Sequence, residues 1–152
     1  MGQDDTKHNL LFISKYPEII HEFTDAMKDR DIEIETAING IEAAAKIKKK
    51  NYDIVITGLS LEGYNGEQII TYLNKTAPST VCIIYTTTIS SAQLHFFINE
   101  RNVFRVFLRP VDFRGAFWEA LEEAYEYHAV QVKNEEDTGC LLYTSDAADD
   151  GE

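Results

Sequence analysis

Several short apolar runs in this 152-residue chain end in residues fit for polar chemistry, Ser14-Lys15 after Leu10 to Ile13, Thr86 after Cys82 to Tyr85, and Arg109 after Val103 to Leu108, whereas Asp53 to Thr57 ends in Gly58, which has no side chain. An ammonium and a guanidinium are obligate donors, so with hydroxyls nearby they suit an oxyanion or a carboxylate. Other chemistries are poorly provided for. His8, His21, His95 and His128 show no pair at metal-ligand spacing and no cysteine partner, which argues against a zinc site. Gly63 and Gly66 fit neither a P-loop nor a dinucleotide fingerprint, and turn geometry accounts for them better. Asp53 begins its run and is therefore expected at the far end of a strand from Gly58. No nucleophile-base-acid set is visible, and the chain is not expected to be an enzyme.

The elements that must position these residues alternate. Strands are expected at Asn9 to Ser14, Ile32 to Ala37, Asp53 to Thr57, Thr80 to Tyr85 and Val103 to Leu108. Between them lie helical patterns. Pro17 suits a first helical turn, with Ile19, Ile20, Phe23 and Met27 following at helical spacing. Glu42 to Lys50 and Gly66 to Lys75 give two more helices, and Ser90 to Arg101 a fourth, with Leu94, Phe97 and Ile98 on one face. A final helix is expected from near Asp112 to about Glu136, with a stripe through Phe113, Phe117, Leu121 or Ala120, Ala124, His128 and Val132 or Gln131. Strict alternation without hairpins implies an α/β fold with a parallel sheet covered on both faces.

Motif by motif, the chain resembles the response-regulator receiver domains of bacterial two-component systems, over about residues 8 to 130. Asp53-Ile-Val-Ile-Thr-Gly58 and the loop through Gly66 are similar to the family's third strand and active loop. Leu10 to Ile19 resembles its first strand and helix, Asn39-Gly40 its turn into the second helix, Cys82 to Thr87 its fourth strand, and Phe107 to Asp112 its Lys-Pro segment. The resemblance implies a flavodoxin-like, doubly wound five-stranded sheet of order 2-1-3-4-5 with five helices, and a cleft at its switch point formed by Ser14, Lys15, Gly58, Thr86 and Arg109. It also exposes departures. Gly58 stands where the family carries its phospho-acceptor aspartate, Ser14 and Lys15 where it carries the acidic pair that holds a divalent cation, and Arg109 where it carries lysine. Val106 replaces a common aromatic switch, while Thr86 and Pro110 match. The expectation is a degenerate receiver, a pseudo-receiver with no cofactor and no metal. Lys15, Arg109 and Ser60 would instead form a cationic pocket for an anion or for a carboxylate such as Glu62.

Composition narrows the partners. With 14 basic against 26 acidic residues the formal charge is −12, which disfavours nucleic acid and anionic membrane surfaces. The only basic run, Lys46 and Lys48 to Lys50, closes a helix and complements its dipole. No apolar run is long enough to span a bilayer. Cys82 is the only cysteine before Cys140, so no disulfide framework is expected and a cytoplasmic location is implied. Residues 139–152 are expected to lie outside the domain: Cys140 to Asp149 resembles the translation of a sequencing adapter, the alternative being a disordered acidic tail. Residues 131–138 are expected to be a helical extension, either solvated or leading into an output domain of the same polypeptide. The aromatic residues Phe96, Phe104, Trp118 and Tyr125 are expected to form an interaction face, with a homodimer as one use of it. The function expected is a phosphorylation-independent regulatory and protein-interaction module. The alternatives are a sensor of a small anion or nucleotide, and a receiver phosphorylated at another residue.

Overall fold

In the computed structural model of the protein, residues 8–100 and 102–141 are described, with side chains through residue 133. Five parallel strands, β1 (His8–Ile13), β2 (Ile32–Ala37), β3 (Ile54–Thr57), β4 (Val81–Thr86) and β5 (Val103–Leu108), form one sheet in the order β2-β1-β3-β4-β5. The helices α1 (Pro17–Ala26), α2 (Gly40–Lys49), α3 (Gly66–Thr76), α4 (Ser91–Ile98) and α5 (Ala116–Leu141) connect or follow them.

The sheet is covered on both faces, and the two-residue period of β1 shows how. Leu10 and Phe12 join Phe23, Phe113, Phe117 and Leu121 in one buried cluster, while Leu11 and Ile13 join Ala43, Ile47, Ile69, Ile70 and Phe97 in the other. The first cluster is a stack of rings. Phe12 lies parallel to Phe23 at 4.2 Å, and Phe113 meets Phe23 edge-on at 5.2 Å, geometries that add to plain area burial.

Local sequence fixes the helix starts. Asn65 and Gln68 form a reciprocal capping box at α3, as do Ser90 and Gln93 at α4, and Asn39 accepts the Glu42 amide at α2. Several expected boundaries shift for visible reasons. Asp53 stays outside β3 because its amide donates to the Asn9 side chain at 2.6 Å. The last helix begins at Ala116 rather than near Asp112, whose carboxylate accepts the Arg114 amide and whose carbonyl accepts the Gly115 amide in a turn. α4 stops at Ile98, and only Phe97 of its expected face is buried; Leu94 and Ile98 are exposed. α5 continues to Leu141, past Gly139, where the sequence had no continuing period. The rest of the expected tail, residues 142–152, lies outside the described residues.

Candidate functional site

The carboxyl ends of the strands bring the expected residues together through backbone bonds. Ile13 pairs with Thr57 and Thr57 with Ile84, and the Gly58 amide then donates to Ile13 O at 3.0 Å. The Arg109 amide donates to Thr86 O at 2.8 Å. Ser14, Lys15, Gly58, Ser60, Thr86 and Arg109 therefore line one cleft of about 40 Å³, joined by Tyr16 and Tyr85. The Arg109–Pro110 peptide is cis.

The loop between β3 and α3 is set by close approaches. A Cβ on Gly66 would stand 2.4 Å from Gly58 O, so only glycine lets the start of α3 lie against the cleft floor. Gly63 has φ +83°, in the left-handed region that side chains avoid. Gly58 itself is different. A Cβ there would meet only Tyr85 O at 3.6 Å and Ile13 O at 4.0 Å, ordinary contact distances, so the backbone itself does not require glycine.

The polar groups of the cleft are cationic and hydroxylic. Lys15 Nζ donates to Ser60 Oγ at 3.3 Å and lies 5.4 Å from the centre of the Tyr16 ring. The Arg109 guanidinium carbon lies 5.1 Å from the same ring. Ser14 is buried and its Oγ accepts the Tyr16 amide at 3.1 Å, while Thr86 Oγ1 donates to Thr88 O. Burial pushes the Tyr85 phenol up, and the neighbouring Arg109 charge works against that rise. Glu62 makes no ion pair with Lys15 or Arg109 among the described residues.

A hard divalent cation needs several oxygen ligands, carboxylates above all. The cleft has none: Ser14 spends its hydroxyl on a backbone amide, Lys15 brings a positive charge, and Gly58 brings no side chain. The residues present do not fit such an ion. No group of three or more His, Cys, Asp or Glu side chains suited to a metal exists among the described residues.

Of the four residues expected to form an interaction face, Tyr125 is buried, whereas Phe96, Phe104 and Trp118 are partly buried. Tyr125 is a buried anchor whose hydroxyl donates to Asn9 O and whose ring stacks on His8 at 4.1 Å. Trp118 carries the Arg30 guanidinium at 4.1 Å, on the side of α5 facing the α1–β2 connection. Phe104 pairs with Tyr127, and Phe96 with Phe97. Phe104, Trp118 and Tyr125 pack with the core on one face of the sheet, and Phe96 with the core on the other.

Sequence reading missed Tyr16 and Tyr85 as cleft residues. Tyr16 stands beside Lys15 in the chain, and that adjacency was the available signal. It also missed that His8 and His128 converge on Asp53, at 3.8 and 3.1 Å, since 120 residues of chain separate the two histidines.

A five-stranded sheet of this order with a cleft at the ends of β1 and β3 defines a doubly wound, flavodoxin-like protein. The sequence matches the response regulator receiver domain over residues 11–115, and the chain belongs to that family, the receiver domains of two-component signalling. Solved structures agree in fold. The signal receiver domain of an HD domain-containing protein from Pseudomonas fluorescens Pf-5 has a TM-score of 0.77 at 19% identity, covering 82% of this chain and 98% of that one. A CheY-like receiver domain protein from Methanospirillum hungatei JF-1 has a TM-score of 0.74 at 18% identity, covering 82% and 98%. A structure described as adenylate cyclase from Rhodopirellula baltica has a TM-score of 0.78 at 19% identity, covering 91% and 99%. No curated protein is significantly similar in sequence.

Proposed function

We propose that this chain is a pseudo-receiver, a regulatory and protein-interaction module that works without phosphorylation and without enzymatic activity of its own. One observation carries the reading: at the carboxyl end of β3, Gly58 has room for a Cβ but carries no carboxylate, and Lys15 stands where a cation-holding acid is expected from the resemblance. An acyl phosphate needs a carboxylate oxygen as nucleophile, and a glycine cannot supply one. Asp53 is a poor substitute, since it lies at the opposite end of β3 with its carboxylate engaged by His128 and the Asn9 amide.

The partner is a signalling protein or an output domain in the same polypeptide, and the site of action is the cytoplasm. The Pseudomonas relative, a receiver domain within an HD domain-containing protein, supports the arrangement with an output domain. α5 supports it too, running 26 residues from Ala116. Among the described residues no helix is long and apolar enough to cross a membrane. For docking, Leu94, Ile98 and Leu108 are the better surface than the aromatics named from sequence, being 40%, 71% and 52% exposed on α4 and β5. A homodimer through this surface is the self-association version of the same proposal.

The test is incubation with acetyl phosphate and magnesium followed by intact-mass measurement under acidic and neutral conditions. No adduct is expected. A stoichiometric phospho-adduct would replace this reading with that of a receiver phosphorylated at another residue.

A further inference from the structure

Lys15 and Arg109 are the two cations that line the strand-end cleft. Lys28, Lys46, Lys50, Arg105 and Arg114 each pair with a carboxylate, as an excess of 26 acids over 14 bases favours. Arg30, Lys48, Lys49, Lys75 and Lys133 have no such pair among the described residues, but they lie outside the strand-end cleft, Arg30 against the Trp118 ring. Lys15 and Arg109 also lack a carboxylate partner among the described residues. Yet both are held within about 5.5 Å of one ring, that of Tyr16. Both charges border the same small cleft with no carboxylate lining it to balance them, and an anion would supply that balance.

The hydroxyls around them are in the right hydrogen-bonding state to help. Ser60 Oγ accepts from Lys15 Nζ and Ser14 Oγ accepts from the Tyr16 amide, so each keeps its own proton free to donate. Thr86 differs, because its proton already goes to Thr88 O and it faces the cleft only as an acceptor. Lys15 and Tyr16 lead directly into α1, whose N-cap has no side-chain hydrogen bond and whose first turn carries the positive end of the helix dipole.

Size then selects the ligand. The cleft offers about 40 Å³, against about 300–1,000 Å³ for pockets that enclose drug-sized ligands. A tetrahedral ion of five heavy atoms suits it, and a nucleoside has no room. We propose that the space over Gly58 is a reversible, noncovalent site for a small tetrahedral oxyanion of the phosphate class, held by Lys15, Arg109, Ser14 and Ser60. This goes beyond phosphorylation independence by giving the module an input: the ion sets the charge of the cleft without any bond being made or broken.

The experiment is titration of the full 152-residue chain with inorganic phosphate at constant ionic strength, read by phosphorus-31 line broadening and by thermal denaturation. The wild type should show a saturable response. Lys15→Gln and Arg109→Gln should each weaken the dissociation constant at least tenfold, Lys15→Arg should retain binding, and Lys75→Gln should leave it unchanged. Adenosine monophosphate, the probe for a phosphomonoester, should bind at least tenfold more weakly than phosphate. Because Lys15 is exposed and Arg109 only half-buried, circular dichroism should find all variants folded. No saturable response in the wild type, or an undiminished one in both Gln variants, would overturn the site. Equal affinity for adenosine monophosphate would overturn its restriction to small ions. Intact mass of the same samples separates the two proposals, since a covalent adduct counts against phosphorylation independence whereas a lost reversible response counts only against the oxyanion site.

Discussion

Asp53 Oδ1 stands 3.1 Å from His128 Nε2, tying the start of β3 to the middle of α5 at the end of the sheet opposite the cleft. The other ring nitrogen of His128 is 2.9 Å from Ser79 O. Both ring nitrogens of His128 therefore face acceptors, a carboxylate on one side and a backbone carbonyl on the other. Asp53 is further held by the Asn9 amide at 3.3 Å and faces His8 at 3.8 Å. Burial alone would raise its carboxyl, but the His128 hydrogen bond and charge, with Asn9 and His8, outweigh burial and hold it below the ordinary 3.8.

The pH dependence follows in sign. A carboxyl whose folded value is depressed contributes stability that is fully present above its unfolded value and lost as pH falls through the folded one. Acidification from about pH 5 downward should therefore cost the wild type more stability than Asp53→Asn, by about 1 kcal/mol. The side chains are 29% and 18% exposed, which keeps the effect near the low end for a charged hydrogen bond. Urea denaturation at stepped pH measures it, and parallel curves for the two proteins would refute it.

Restoring a carboxylate in the cleft should not restore phosphorylation. Gly58→Asp has steric room for its Cβ, and its carboxylate would lie beside Lys15 and Arg109. Stability should rise by up to about 1 kcal/mol, the range for a partly solvated ion pair. Acetyl phosphate with magnesium should still yield no adduct by mass, because Lys15 remains and no second acid is present to bind the metal.

The loop after β3 should be intolerant of a single methyl. In Gly66→Ala the new Cβ would fall 2.4 Å from the backbone oxygen of Gly58, and neither partner is a flexible side chain. A loss of about 1–3 kcal/mol is expected, with the cleft disturbed as well. Thermal denaturation checks the first effect and phosphate titration the second; an unaltered melting temperature would contradict the close approach.

Core and surface apolar residues should part company. Phe117 is fully buried among Phe23, Tyr85, Phe107 and Phe113, so Phe117→Ala should cost about 3–5 kcal/mol. Ile98 is 71% exposed, and Ile98→Ser should change stability by less than about 0.5 kcal/mol. Light scattering across concentration then tells whether this surface is used for self-association. A wild type that dimerises and an Ile98→Ser/Leu94→Ser variant that does not is the expected pair of results if the homodimer forms here.

The sheet was legible in the sequence because its signals are local. Short β-branched runs such as Ile54 to Thr57, alternating with capped helices at Asn65 and Ser90, need no distant partner to be recognised. The missing chemistry was equally local, since Gly58 lacks a side chain in any fold. What the tertiary structure decided lies between segments far apart in the chain. Lys15 and Arg109 come to one tyrosine ring only because β1 and β5 run parallel and finish at the same carboxyl end of the sheet. The scattered histidines at 8 and 128 meet at Asp53 only because α5 packs back across the start of β1 and β3. Tyr125 shows the same limit from the other side. Its aromatic side chain reads as a contact residue in sequence, but the hydrogen bond to Asn9 O, 116 residues away, makes it part of the core. Helical spacing says which residues share a face; only packing says which face meets the sheet and which meets water.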